Sequence, residues 1–177
     1  ALLFGLKYSG SKFGGKDLEL LNAAANQIAI SLENARLYQS ESEKIKIERD
    51  LDLARKIQQG LLPKCIPNLN GLDICGEMIP AMQVGGDYFD LIPISETKLF
   101  VAVGDVSGKG LSASLYMTKL QTMIQISTKV STSPKEILIE INKQLYESIE
   151  RSWFITMTLA LFDTETKTVK FCRAGHM

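Results

Sequence analysis

Apolar residues near the start of the chain recur at alternating steps of three and four: Leu18, Leu21, Ala25, Ile28, Leu32 and Ala35. That spacing predicts a helix with a narrow seam suited to pairing with another helix. The turn residues Ser9-Gly10-Ser11 and Gly14-Gly15 place its start at Asp17, a capping type. Before them, Ala1 to Tyr8 is apolar and strand-like. Between Gln39 and Lys46 the seam gives way to a polar run, and Ile47, Leu51, Ala54, Gln58 and Leu61 restart it in a shifted register. Two helical segments are expected to meet there. Such a stretch is either a solvated spacer or a place where two packings lie close in energy and a signal passes. Pro63 and Pro67 end the helix.

Further along, Leu72 to Ala81 and Tyr88 to Ile94 read as strands, and Lys98 to Val103 as a short buried one. Leu111 to Lys129 has helical spacing. Ser133-Pro134 opens a second helix with proline at its first position, and Ile137, Leu138, Ile141, Leu145 and Ile149 line one face of it. Phe154 to Phe162, a turn over 163–167 and Thr168 to Arg173 then form an expected antiparallel hairpin. Strands, a helix pair and more strands, in that order, indicate an α+β layered architecture.

An apolar share of 45% and a charged share of 23% fit a folded globular chain. Lys plus Arg and Asp plus Glu number 20 each, so no net field draws the chain to nucleic acid, and none is expected as a partner. The cysteines, Cys65, Cys75 and Cys172, lack metal-ligand spacing, and a reducing cytosol fits them best. A cytoplasmic location is expected, with a membrane anchor upstream left open. The apolar opening at Ala1 and the end at Met177, directly after a strand-like segment, suggest truncation at both ends.

The candidate chemistry lies in two glycine-rich acidic loops. In Val84-Gly85-Gly86-Asp87-Tyr88-Phe89-Asp90 two glycines let the backbone turn and bare the following carboxylate. Gly104-Asp105-Val106-Ser107-Gly108-Lys109-Gly110 follows an apolar strand and precedes a helix. Either aspartate alone could be a helix cap or a turn residue. Together they offer hard oxygen donors of the kind Mg²⁺ and Mn²⁺ prefer. With His176 the sole histidine, histidine-rich zinc chemistry is excluded. A P-loop is excluded by spacing, since only three residues separate Gly104 from Gly108-Lys109 and glycine follows the lysine. The diguanylate cyclase signature fails because Tyr88 stands at its second acid.

These two loops resemble the paired signatures of SpoIIE-type PPM protein serine/threonine phosphatases. Ala54-Arg55-Lys56-Ile57-Gln58-Gln59-Gly60-Leu61-Leu62-Pro63 upstream, and Phe154-Ile155-Thr156-Met157-Thr158 and Ala174-Gly175-His176 downstream, continue the similarity in order. The resemblance implies an αββα sandwich, here truncated and preceded by a long linker helix, with two Mn²⁺ or Mg²⁺ ions between its sheets. It also implies that Asp87, Asp105 and the Val106 carbonyl are metal ligands. Asp90, Lys109 and His176 are second-shell candidates, and a metal-activated water replaces any protein nucleophile. Residues 1–38, through Leu2 to Lys7 and Gln27 to Tyr38, resemble the end of a GAF sensor domain; 39–62 would be a helical, coiled-coil linker and 63–177 the first part of the phosphatase domain.

The implied substrate is a phosphoserine or phosphothreonine on an anti-sigma-factor antagonist, under sensor control, in a homodimer formed through residues 17–61. PPM phosphatases require further aspartates from strands after the Ala-Gly-His segment, so this chain alone is expected to bind Mn²⁺ weakly and to leave phosphoserine peptides intact. The rival reading is a noncatalytic dimeric signalling module with structural acidic loops. His176, Lys109, Trp153, Phe154, Met117 and Met123 each also fit plain structural roles.

Overall fold

A computed structural model describes residues 7–80 and 82–176. The chain divides into a first unit ending at Arg49 and a second running from Asp50. The expected first strand lies almost entirely outside the described residues.

In the first unit, helix α1 (Gly15–Leu61, continuing into the second) starts two residues before Asp17. Leu18 N–H donates to Gly14 O at 3.0 Å, and the Asp17 carboxylate reaches back to accept from Gly14 N–H at 2.8 Å. Asp17 thus caps from the third helical position, the acidic half of a capping box, while also pairing with Lys7. The Lys7 ammonium and the Gly14 amide hold its carboxyl below the usual carboxylate range. No interruption separates the two seams. Gln, Glu and Lys in the polar run are good helix formers, and Gln39 Nε2 bonds Glu43 Oε1 one turn on at 3.3 Å, so the register shifts without breaking the backbone.

In the second unit, β1 (Tyr88–Pro93), β2 (Lys98–Val106), β3 (Ile155–Asp163) and β4 (Thr168–Ala174) form one antiparallel sheet in sequential order. Between β2 and β3 the chain makes α2 (Leu111–Ser127) and α3 (Pro134–Tyr146). The α+β class is as expected. Ser133 caps α3 by accepting from Glu136 N–H at 3.4 Å, with Pro134 at the first position. Ile149, expected on its apolar face, lies beyond its end.

Period-two alternation divides the sheet's faces. Tyr88, Phe100, Ala102, Val106, Met157, Leu159 and Leu161 form one core with Met117, Leu120 and Ile124 of α2 and Ile137, Ile141 and Leu145 of α3. On the opposite face a smaller cluster joins Leu91 and Leu99 to Leu69, with Leu72, Ile74 and Val101 against it. The strand expected over 72–81 is not formed. Only an isolated bridge, Leu69 to Leu72, occurs there, and the described part of the segment lays Leu72 and Ile74 on that face without joining a ladder. The last turns of α1 follow the restarted seam: Leu51, Ala54 and Leu61 are half-buried and Gln58 is fully buried. No described helix is long and apolar enough to cross a membrane.

Candidate metal centre

Asp105 belongs to β2 itself, one residue before its end, and not to the loop beyond it. The ladder persists because Gly104 and Asp105 still pair with Met157 and Thr156. With Phe100, Ala102 and Val106 turned to the helices, alternation turns Asp105 to the other face. Asp87, immediately before β1, has the same parity, since Tyr88 and Asp90 stand opposite Gly104 and Ala102.

The two carboxylates meet at a cavity of about 200 Å³ lined by Met82, Val84, Gly85, Gly86, Asp87, Asp105, Gly108 and Lys109. Partial desolvation raises the pKa of the largely exposed Asp105, and the neighbouring Asp87 raises it further by its charge and a hydrogen bond. His176 acts in the opposite direction. Thr156, across the ladder from Asp105, shares a 2.9 Å hydrogen bond between its hydroxyl and His176 Nδ1. Lys109 stands exposed on the cavity's rim.

Two close approaches build this corner. A Cβ on Gly86 would lie 2.5 Å from Val106 O and 3.3 Å from Ala113 Cβ, so only glycine lets the Asp87 loop meet the end of β2 and the start of α2. Val106 N–H donates to Gly86 O at 3.3 Å. The Val106 carbonyl therefore faces the loop, one residue from Asp87. Gly108 has φ of +86°, and a Cβ there would be 2.8 Å from the Trp153 ring. That indole, tilted on Tyr116 at 5.4 Å, forms the floor of the loop after β2.

Asp90 serves another purpose. It is buried, and accepts hydrogen bonds from Tyr88 OH at 3.0 Å, Leu91 N–H at 2.9 Å and Gln125 Nε2 at 3.1 Å, tying β1 to α2. Burial first, then the Asp90 charge, pushes the Tyr88 hydroxyl pKa well up. Of the six residues singled out, Asp87, Asp105, Val106, Lys109 and His176 are gathered at this corner, and Asp90 turns to the helix face.

Two close carboxylates and a backbone carbonyl are hard oxygen donors that suit Mg²⁺ or Mn²⁺, and their mutual repulsion favours a cation. Among the described residues no group of three or more His, Cys, Asp or Glu side chains converges as a metal cage. The donors here fit part of a site. Pattern reading passed over Thr156, whose signal is its place beside Asp105 in the ladder, and Gln58, a polar residue in an apolar seam.

Residues 95–177 match the model of the family described as Stage II sporulation protein E (SpoIIE). The chain is 29% identical over 131 residues to the phosphoserine phosphatase RsbU of Bacillus subtilis (strain 168), covering 74% of this chain and 39% of that protein. It is 26% identical over 137 residues to the phosphoserine phosphatase RsbP of the same organism, covering 75% of this chain and 34% of RsbP. It therefore spans well under half the length of either. The SiaA-PP2C domain of Pseudomonas aeruginosa shares the fold with a TM-score of 0.59 at 22% identity, over 74% of this chain and 55% of that one.

Proposed function

We propose that this chain, whose residues 95–177 match the SpoIIE family model, is part of a metal-dependent enzyme hydrolysing phosphoserine or phosphothreonine on a signalling protein. The observation that carries the reading is the convergence of Asp87, Asp105 and the Val106 carbonyl on one corner of the sheet. Mn²⁺ or Mg²⁺, two ions in the complete domain, would be held there, lowering the pKa of a bound water and positioning a phosphate for in-line attack. Around it, Asp87 and Asp105 would supply carboxylate oxygens to the cations. The Thr156–His176 pair sets polar groups beside Asp105, and Lys109 offers a cation at the rim for phosphate oxygens.

The substrate in this reading is an anti-sigma-factor antagonist, in line with the phosphoserine phosphatase names of RsbU and RsbP. Residues 1–38 end a GAF-like sensor, 39–62 form the linker, and a homodimer forms through residues 17–61. The exposed seam residues Leu18, Ile28 and Leu32 support that pairing. The compartment is the cytoplasm.

The test uses the full-length protein containing this chain, titrated with Mn²⁺ against a phosphoserine-bearing protein substrate. We expect Mn²⁺-dependent release of phosphate, which Asp105→Ala reduces by roughly a thousand-fold or more while leaving the circular dichroism unchanged. A noncatalytic module shows neither metal binding nor turnover, and that result overturns the reading.

A further inference from the structure

The loop that presents Asp87 is held from outside by a single side chain. Gln58 Nε2 donates to Gly85 O at 2.7 Å, and Gln58 Oε1 accepts from Gly85 N–H at 3.1 Å. A primary amide carries a donor and an acceptor in one plane, so this contact reproduces the pair of hydrogen bonds that a neighbouring strand would exchange with Gly85. Gln58 is the buried residue of α1, 4% exposed, with its Nε2 also 3.6 Å from Met117 Sδ. It occupies a seam whose neighbouring positions are Leu51, Ala54 and Leu61. Packing alone favours an apolar residue there, because a buried amide costs free energy unless both its ends are bonded. Both ends are bonded, and both bonds go to the metal loop.

From this geometry we propose that Gln58 is a positioning residue for the metal site: its amide fixes the Gly85 backbone and so sets how Asp87 is presented beside Asp105. The inference rests on the phosphatase reading and adds a condition to it. The Gly85–Asp87 turn is braced on one side by β2, through Val106 N–H to Gly86 O, and on the other by the last turns of α1. A shift of those turns by even one residue removes both amide bonds, because hydrogen bonds fail steeply with distance and angle. Metal affinity is thereby made conditional on the seating of residues 50–61.

Gln121 provides an internal comparison. It too is a buried amide, but its Nε2 bonds the Leu61 carbonyl at the end of the same helix and not the loop. A role confined to docking the helix predicts equal consequences for the two glutamines. A positioning role separates them.

The experiment compares Gln58→Met and Gln121→Met in the full-length protein, reading Mn²⁺ affinity by calorimetric titration, amide exchange over 84–87, and kcat and KM for the phosphoprotein. We expect Gln58→Met to weaken Mn²⁺ binding about ten-fold or more, to speed exchange at the Gly85 amide, and to lower kcat with KM unchanged. Gln121→Met should keep Mn²⁺ affinity within about two-fold of the parent despite a similar loss of thermal stability. Gln58→Glu retains the acceptor for Gly85 N–H and replaces the donor to Gly85 O, so it should also bind Mn²⁺ more weakly even if the methionine variant misfolds. Unchanged Mn²⁺ affinity in the folded Gln58 variants, or equal weakening in Gln121→Met, overturns the positioning role. Failure of the unsubstituted protein to bind Mn²⁺ at all overturns the phosphatase reading and the positioning role with it.

Discussion

On the side of the sheet turned to α2 and α3, Phe100, Ala102, Val106, Leu159 and Met157 are buried against two helices. On the other side, the same strands present Asp105, Thr156, Val103 and Phe171, and Phe171 is 63% exposed. Polar groups follow the same division. Asp90 on the helix face is surrounded by donors, and no buried side-chain nitrogen or oxygen among the described residues lacks a partner. Asp87 and Asp105 on the opposite side have each other for company. One face is packed to specify the fold, whereas the other, beyond its small cluster around Leu69, Leu91 and Leu99, keeps like charges together at a cost in stability, which is the usual mark of a site awaiting a ligand.

The sharpest way to separate the faces is to damage only the packed one. Phe100 is wholly buried among residues of β1, β3 and the helices. Phe100→Ala should cost about 3–5 kcal/mol, through lost transfer free energy and the cavity left behind, measured as a lowered midpoint in urea at unchanged slope. A cost below about 1 kcal/mol would mean that this face is not the stabilising one. A smaller effect is expected where the faces join. Gly108→Ala places a methyl against the Trp153 ring in a conformation that L-residues avoid, so roughly 1–3 kcal/mol should be lost. Unlike Phe100→Ala, it should also weaken Mn²⁺ binding, because residue 108 lines the acidic cavity.

The packed face was largely legible in the sequence. Helix periodicity located α2 and α3, Ser133-Pro134 fixed a helix start to the residue, and the turn over 163–167 set the β3–β4 hairpin. Local chemistry determines each of these. The misreadings arose where long-range contacts decide. Residues 72–80 have strand-like composition, but a strand exists only through its partner, and this segment instead caps Leu91 and Leu99. The seam shift near Gln39 marks a change of register within one long helix, and polar residues of good helical propensity carry the backbone through it. At the site, Asp87, Asp105 and Val106 stood out because their glycine loops are local. Asp90, only three residues from Asp87, resembled a member of the same site until strand parity turned it to Gln125. Gln58 lies 27 residues from Gly85, and a pairing of that separation leaves only the faint trace of a polar residue in an apolar seam.

The smallest expected effect tests the cost of the acidic face directly. Burial and the charge of Asp87 raise the pKa of Asp105 in the folded protein above its unfolded value near 3.8. The folded state therefore holds its proton more tightly than the unfolded one. The stability contributed by this group is present in full below the unfolded value and is lost as pH rises through the folded value. At neutral pH the metal-free protein bears that loss, and Asp105→Asn should relieve it. Solvent screening keeps the gain small, since Asp105 is largely exposed, and a rise in Tm of roughly 1–3 °C at pH 7 is expected, shrinking toward zero near pH 3. Excess Mn²⁺ should reverse the order in the full-length protein, because a ligand that binds only the folded state stabilises the aspartate form and not the asparagine. A variant less stable than the parent at pH 7 without metal would show that the two carboxylates are not in conflict, and would remove the physical ground for treating the face they occupy as a cation site.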